Sequence, residues 1–195
     1  MKSLRGTKTA ENLMKSFAGE CQARTRYTYY ASVAKKEGYV QISNIFMETA
    51  EQEKEHAKRF YSFLKEEFAG EAIEINAGYP VALYDDTAKN LKAAAAGEHE
   101  EWAHDYPEFA RIAREEGFPG IAVAYERIIE VENMHENRYN KLLKNVEEGK
   151  VFKKEEVVLW KCGNCGYIFE GTEAPEVCPA CLHPKAYFEV FSENY

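Results

Sequence analysis

The stretch Ile121–Val146 reads IAVAYERIIEVENMHENRYNKLLKNV, and its spacing decides the architecture. Ile121, Tyr125, Ile128, Glu132, His135, Tyr139, Leu142 and Val146 recur three or four positions apart, so they share one face of an α-helix. The stripe is apolar or aromatic except at Glu132 and His135. An earlier stretch does the same: Ile42, Ile45, Phe46, Thr49, Phe60, Phe63 and Leu64 line one face, broken by Glu53 and His56. Burying an unpaired carboxylate costs several kcal/mol, so acids on two inner faces need a compensating partner. A shared metal ion is the direct one.

The two stretches are copies. Ala31-Ser32-Val33-Ala34-Lys35-Lys36-Glu37-Gly38-Tyr39 returns as Ala110-Arg111-Ile112-Ala113-Arg114-Glu115-Glu116-Gly117-Phe118, an offset of 79 that also carries Glu53 to Glu132 and His56 to His135. Tyr27 maps to Tyr106 at the same offset, but Ala18-Gly19-Glu20 maps to Ala96-Gly97-Glu98 at 78. The second copy therefore holds one extra residue between Glu98 and Tyr106, which a helix absorbs as a π-bulge. Two duplicated helix pairs should pack with approximate two-fold symmetry and bring their repeated inner faces together.

Four long helices are expected: about Thr9 to Lys36, Val40 to Phe68, Asp85 or Asp86 to Glu116, and Pro119 to Glu148. Pro107 predicts a kink or irregular turn near Tyr106. The connector Ala69–Tyr84 is long for neighbouring helices and suits a crossover along a ferritin-like four-helix bundle. Composition shifts after residue 150 to glycine, proline, cysteine and aromatics. This divides the chain into a helical unit, 1–150, and a small metal-binding β unit, 151–195, linked through Val151–Val158.

Residues three apart on a helix lie side by side, so Glu53/His56 and Glu132/His135 each aim a carboxylate and an imidazole at one point. Glu20 and Glu98 add one carboxylate from each remaining helix, the arrangement of di-iron and di-manganese carboxylate bundles. Such a donor set suits iron or manganese better than calcium or structural zinc. Glu101 shares the Glu98 face and is either a seventh, asymmetric ligand or a solvated acid in the run Glu98-His99-Glu100-Glu101. Tyr27 and Tyr106 are either donors of hydrogen bonds to the metal shell or core aromatics. His99 and His104 read as surface residues, and Cys21 as small buried filler.

Cys162-Gly163-Asn164-Cys165 and Cys178-Pro179-Ala180-Cys181 are two C-x2-C knuckles, the spacing of a tetrahedral single-metal site that accepts zinc or iron. Trp160, Tyr167, Phe169, Tyr187, Phe188 and Phe191 could form a miniature core completed by the metal. His183 is surplus to four thiolates.

Composition excludes several classes. Hydrophobic residues are 45% and charged residues 30%, an ordinary soluble balance, and nothing approaches the roughly 20 apolar residues that span a bilayer. Acids outnumber bases 33 to 25, a net charge of −8 that disfavours a nucleic-acid partner. Met1–Lys8 lacks the apolar core of a signal peptide, which points to the cytoplasm, where five cysteines favour metal chemistry over disulfides.

Taken together, Phe17-Ala18-Gly19-Glu20, Glu53-Lys54-Glu55-His56, Ala96-Gly97-Glu98-His99-Glu100-Glu101, Glu132-Asn133-Met134-His135 and the cysteine knuckles resemble the rubrerythrin family over nearly the whole chain. The resemblance implies a ferritin-like di-iron bundle followed by a rubredoxin-like domain with one iron in four cysteines. It implies reduction of hydrogen peroxide to water in air-sensitive microbes. In it Glu53 and Glu132 bridge the irons, Glu20 binds one iron, Glu98 and His135 the other, and Glu101 and His56 exchange at the first with redox state. It further implies a head-to-tail homodimer that brings one chain's rubredoxin centre beside the other's di-iron site. Cys21 departs from the serine common there. No G-x-G-x-x-G is present, so NAD(P)H oxidation falls to a separate reductase or a rubredoxin-type carrier. A caged ferroxidase and a zinc-stabilised scaffold are the alternatives.

Overall fold

The computed structural model describes residues 2–194. Helix α1 spans Lys8–Lys36, α2 Val40–Phe68, α3 Thr87–Glu100, α4 Tyr106–Glu115 and α5 Pro119–Glu147. The chain signals its own boundaries. Thr7 caps α1 by accepting from the Ala10 N–H, Asp86 caps α3 by accepting from Lys89, and Pro119 opens α5 where its missing N–H costs nothing. Gly38 and Gly117, equivalent in the two copies, take φ of +85° and +83° just past α1 and α4, a conformation that other residues adopt at a cost. Residues 71–84 between α2 and α3 form no regular element, as a crossover requires.

The expected single third helix is interrupted. Glu101–Asp105 form a π-helical turn between α3 and α4, at the place where the second copy holds its extra residue. The added residue widens the helix locally, and Pro107 falls in the first turn of α4, where it breaks no helical hydrogen bond. The irregularity therefore lies before Tyr106, as a π-turn and not a proline kink.

α1 packs along α2, and α3 and α4 pack along α5. The pairs are stitched reciprocally: Glu116 accepts the Lys8 and Thr9 N–H groups at the start of α1, and its repeat equivalent Glu37 accepts the Thr87 N–H at the start of α3. The bundle core divides likewise. Tyr27, Phe46 and Tyr139 lie in one buried cluster, and their counterparts Tyr106, Tyr125 and Phe60 in another. The acids sit between these aromatic layers.

The tail forms an antiparallel sheet in the order β2-β1-β3, from β1 (Lys153–Cys162), β2 (Ile168–Glu173) and β3 (Phe188–Val190). Most of the expected link Val151–Val158 is thus the start of β1. Trp160, Phe169, Tyr187 and Phe188 do form a small core, joined by Phe152 and Val158, whereas Tyr167 is exposed. The tail touches the bundle where Tyr39 stacks on Phe152, ring centroids 6.1 Å apart and planes 7° from parallel.

Candidate metal centres

Glu20, Glu53, Glu98, Glu132 and His135 are all buried, each on a different turn of α1, α2, α3 or α5, and His56 is nearly so. Two groups of ligand atoms result, each mutually within 4.8 Å: Glu20, Glu53, His56 and Glu132, and Glu53, Glu98, Glu132 and His135. Glu53 and Glu132 belong to both. His56 Nδ1 lies 2.8 Å from Glu132 Oε1 and 2.9 Å from Glu53 Oε2. His135 Nδ1 lies 2.8 Å from Glu132 Oε2 and 3.2 Å from Glu53 Oε1.

Many of these atoms converge without hydrogen bonding. Among the described residues Glu20 Oε2, Glu53 Oε1, Glu98 Oε2, both Glu132 oxygens and His135 Nδ1 are buried with no hydrogen-bond partner. Natural proteins rarely leave such atoms orphaned unless an ion or water completes them. Electrostatics agree: burial, with Glu101, Glu132 and Glu53 nearby, pushes the Glu20 carboxyl well up, and burial with Glu53 nearby raises Glu98. Burial pulls His56 and His135 down, but the close carboxylates of Glu132 and Glu53 outweigh it and raise them to about 10 and about 12. Protons thus balance the acids in the metal-free site, and two divalent cations would do so instead.

The two tyrosines are core aromatics that also hydrogen-bond buried acids of the site. Tyr27 O–H donates to Glu98 Oε1 at 2.5 Å and Tyr106 O–H to Glu20 Oε1 at 2.6 Å, while both rings are buried in the aromatic layers. Each tyrosine serves the glutamate of the other repeat, a crossing that the sequence alone does not reveal. Gln52, which sequence reasoning passes over, meets His135 Nε2 at 3.0 Å.

In the tail, Cys162, Cys165, Cys178 and Cys181 gather their sulfurs within 4.8 Å of one another. Cys162–Cys181 and Cys165–Cys178 separations are both 3.7 Å. A disulfide needs about 2.05 Å, whereas a tetrahedron with metal–sulfur bonds of about 2.3 Å has edges of about 3.8 Å. The backbone N–H of His183 helps lower the Cys181 thiol to about 6, which favours a thiolate. The His183 ring packs edge-on against Tyr187, outside the group.

Comparison with known proteins follows the same division. The rubrerythrin family model matches residues 11–143, and that of the rubrerythrin rubredoxin-like domain matches 160–189. The chain belongs to the rubrerythrin family. It is 72% identical to the rubrerythrin of Clostridium perfringens and 52% identical to that of Nitratidesulfovibrio vulgaris, with both members of each pair covered completely. The fully reduced, all-ferrous structure of nigerythrin superposes with a TM-score of 0.64 at 31% identity, covering 97% of this chain and 92% of nigerythrin. The bundle is therefore ferritin-like and carries a candidate di-iron carboxylate site, and the tail is a rubredoxin-like four-cysteine site; iron suits both.

Two details of this rubrerythrin-family site depart from simple expectation. Glu101 belongs to neither group of ligand atoms. The π-turn directs it to a cavity of about 700 Å³ between α1 and the crossover, whose lining includes Gly19, Arg26, Tyr79 and Tyr106. Burial and the charges of Glu98, Glu132 and Glu53 push its carboxyl well up. Cys21 is half-buried, since a side chain one position after Glu20 points away from the bundle centre. His99 is exposed and bonds Glu136, and His104 is exposed.

Proposed function

We propose that the chain is a non-haem di-iron peroxidase that reduces hydrogen peroxide to water for oxidative-stress defence in the cytoplasm of an anaerobe or microaerophile. The reading rests above all on Glu53 and Glu132, the two carboxylates common to both groups of ligand atoms, which would let two ions share them side by side. In this account Glu53 and Glu132 would be shared by two irons, Glu20 would hold one, and Glu98 with His135 the other. His56 and Glu101 would serve the first position in turn, His56 converging on Glu132 and Glu101 lying at the cavity.

The reaction is H2O2 + 2 e− + 2 H+ → 2 H2O. Iron held by these residues would supply the two electrons needed to cleave the O–O bond. The residues do the rest. Tyr27 and Tyr106 each occupy one oxygen of Glu98 and Glu20, leaving the second oxygen of each carboxylate to the metal. Glu101, held protonated by burial and by like charges, can donate a proton at the cavity wall. The aromatic layers exclude water on either side.

Electrons arrive singly through Cys162, Cys165, Cys178 and Cys181 in the 151–195 unit, from a reductase or rubredoxin-type carrier that oxidises NAD(P)H. A head-to-tail homodimer sets one chain's four-cysteine centre beside the other chain's 1–150 bundle. No described helix is long and apolar enough to cross a membrane. Cys162→Ser tests the relay: it should abolish steady-state peroxide reduction from an external donor yet permit one turnover of a chemically prereduced bundle. Undiminished steady-state flow would remove the tail from the electron path.

A further inference from the structure

The repeat predicts that whatever supports His135 has a counterpart at His56, and it has none. Gln52 Oε1 faces His135 Nε2 at 3.0 Å. The amide is turned that way from its other end: Gln52 Nε2 donates to Glu48 Oε1, which accepts at 2.6 Å from Arg138 Nη1, while Arg138 Nη2 donates to Thr49 Oγ1 at 2.6 Å. An amide oxygen only accepts, so the imidazole must offer Nε2–H to it. Nδ1 is left facing Glu132 and Glu53.

At the equivalent positions of the other copy three of the four parts are replaced, Gln52 by Val131, Glu48 by Arg127 and Thr49 by Ile128, and only the arginine is kept, Arg59 answering to Arg138. Val131 has no polar side-chain atom, Arg127 pairs with Glu130, and Arg59 lies over the Phe63 ring. Among the described residues His56 hydrogen-bonds through Nδ1 alone. Its side chain is 13% exposed against 2% for His135.

We propose that Gln52 is a positioning residue that fixes His135 as an Nδ1 ligand, and that Val131 in its place leaves His56 the unsupported imidazole, so the two metal positions differ in affinity. The proposal rests on the di-iron reading of the bundle. An acceptor behind a ligating imidazole fixes its tautomer and ring orientation, and losing one typically costs about 10–100-fold in metal affinity. The duplication therefore built two like half-sites, and a single polar strut made them unequal.

Full-length protein labelled with 15N-histidine and reconstituted with zinc, a diamagnetic probe, tests this. In the wild type both imidazoles should carry metal at Nδ1, with a slowly exchanging Nε2–H only on His135. Gln52→Leu should lose that protection and weaken one of the two bundle zinc positions by about 10–100-fold. Gln52→Glu keeps an acceptor and should restore both, and Val131→Gln should confer slow exchange on His56. Unchanged exchange and affinity in Gln52→Leu, or an unaltered His56 in Val131→Gln, would overturn the proposal. If zinc reached neither imidazole in the wild type, the di-iron reading itself would fall and the strut with it.

Discussion

Glu20 and Glu98 show how much a single atom decides at this site. Each carboxylate has one oxygen held by a tyrosine of the opposite repeat and one with no protein partner. Removing the phenol frees a second buried oxygen. Tyr27→Phe and Tyr106→Phe should each lower metal-free stability by about 1–3 kcal/mol, read by denaturant titration, and should slow peroxide turnover. Variants as stable as wild type would mean that these bonds do not hold the carboxylates. Charge adds a second expectation. The close Glu132 and Glu53 carboxylates outweigh burial and hold His135 protonated, pushed up to about 12 in the metal-free site. A metal at Nδ1 must displace that proton, and Glu20 and Glu98, also raised, must lose theirs. Metal loading should therefore release protons, and affinity should rise with pH up to about 10, where His56 loses its proton unaided. Calorimetry in buffers of different ionisation enthalpy measures the release; none at all would contradict the charge balance. The acids and histidines were legible because they break an apolar stripe twice over. The crossed tyrosine bonds and Gln52 were not, since they depend on how two helix pairs meet, which periodicity along one helix does not encode.

Among the elements, the π-turn Glu101–Asp105 bears most directly on the site. It follows Glu98 and precedes Tyr106, so it sets the angle between a carboxylate of one half-site and the phenol that serves the other. Deleting Ala103 should convert the turn to α-helix and rotate everything on one side by about 100° relative to the other. Helicity should persist by circular dichroism while bundle iron falls by at least one ion per chain. Full iron content in the deletion variant would show that the turn does not place the ligands. The extra residue was legible as a change of offset from 78 to 79, but its consequence for Glu101 was not. A heptad-like count puts Glu101 on the Glu98 face; in the structure it starts the π-turn and lines the cavity, near enough to Glu20 to raise that carboxyl. The strand β1 was missed because Lys153–Val157 is charged and exposed, with only alternation to mark it.

At the scale of the molecule, two units of different chemistry are joined by a short link and a stacked pair, Tyr39 on Phe152. The bundle holds hard oxygen and imidazole donors in a buried layer between aromatic clusters; the tail holds four sulfurs, two buried in its small core and two nearer the surface. Under the proposed function this separation would let two-electron and one-electron chemistry proceed at different places in one chain. It also predicts that damage to one centre leaves the other intact. Iron-reconstituted Glu53→Ala measured for both visible absorption and peroxide reduction tests the central claim, because Glu53 is common to both groups of ligand atoms and distant in sequence from the cysteines. The account predicts that the red ferric tetrathiolate absorption of the tail persists while peroxide turnover disappears. Turnover at the wild-type rate in this variant would contradict it.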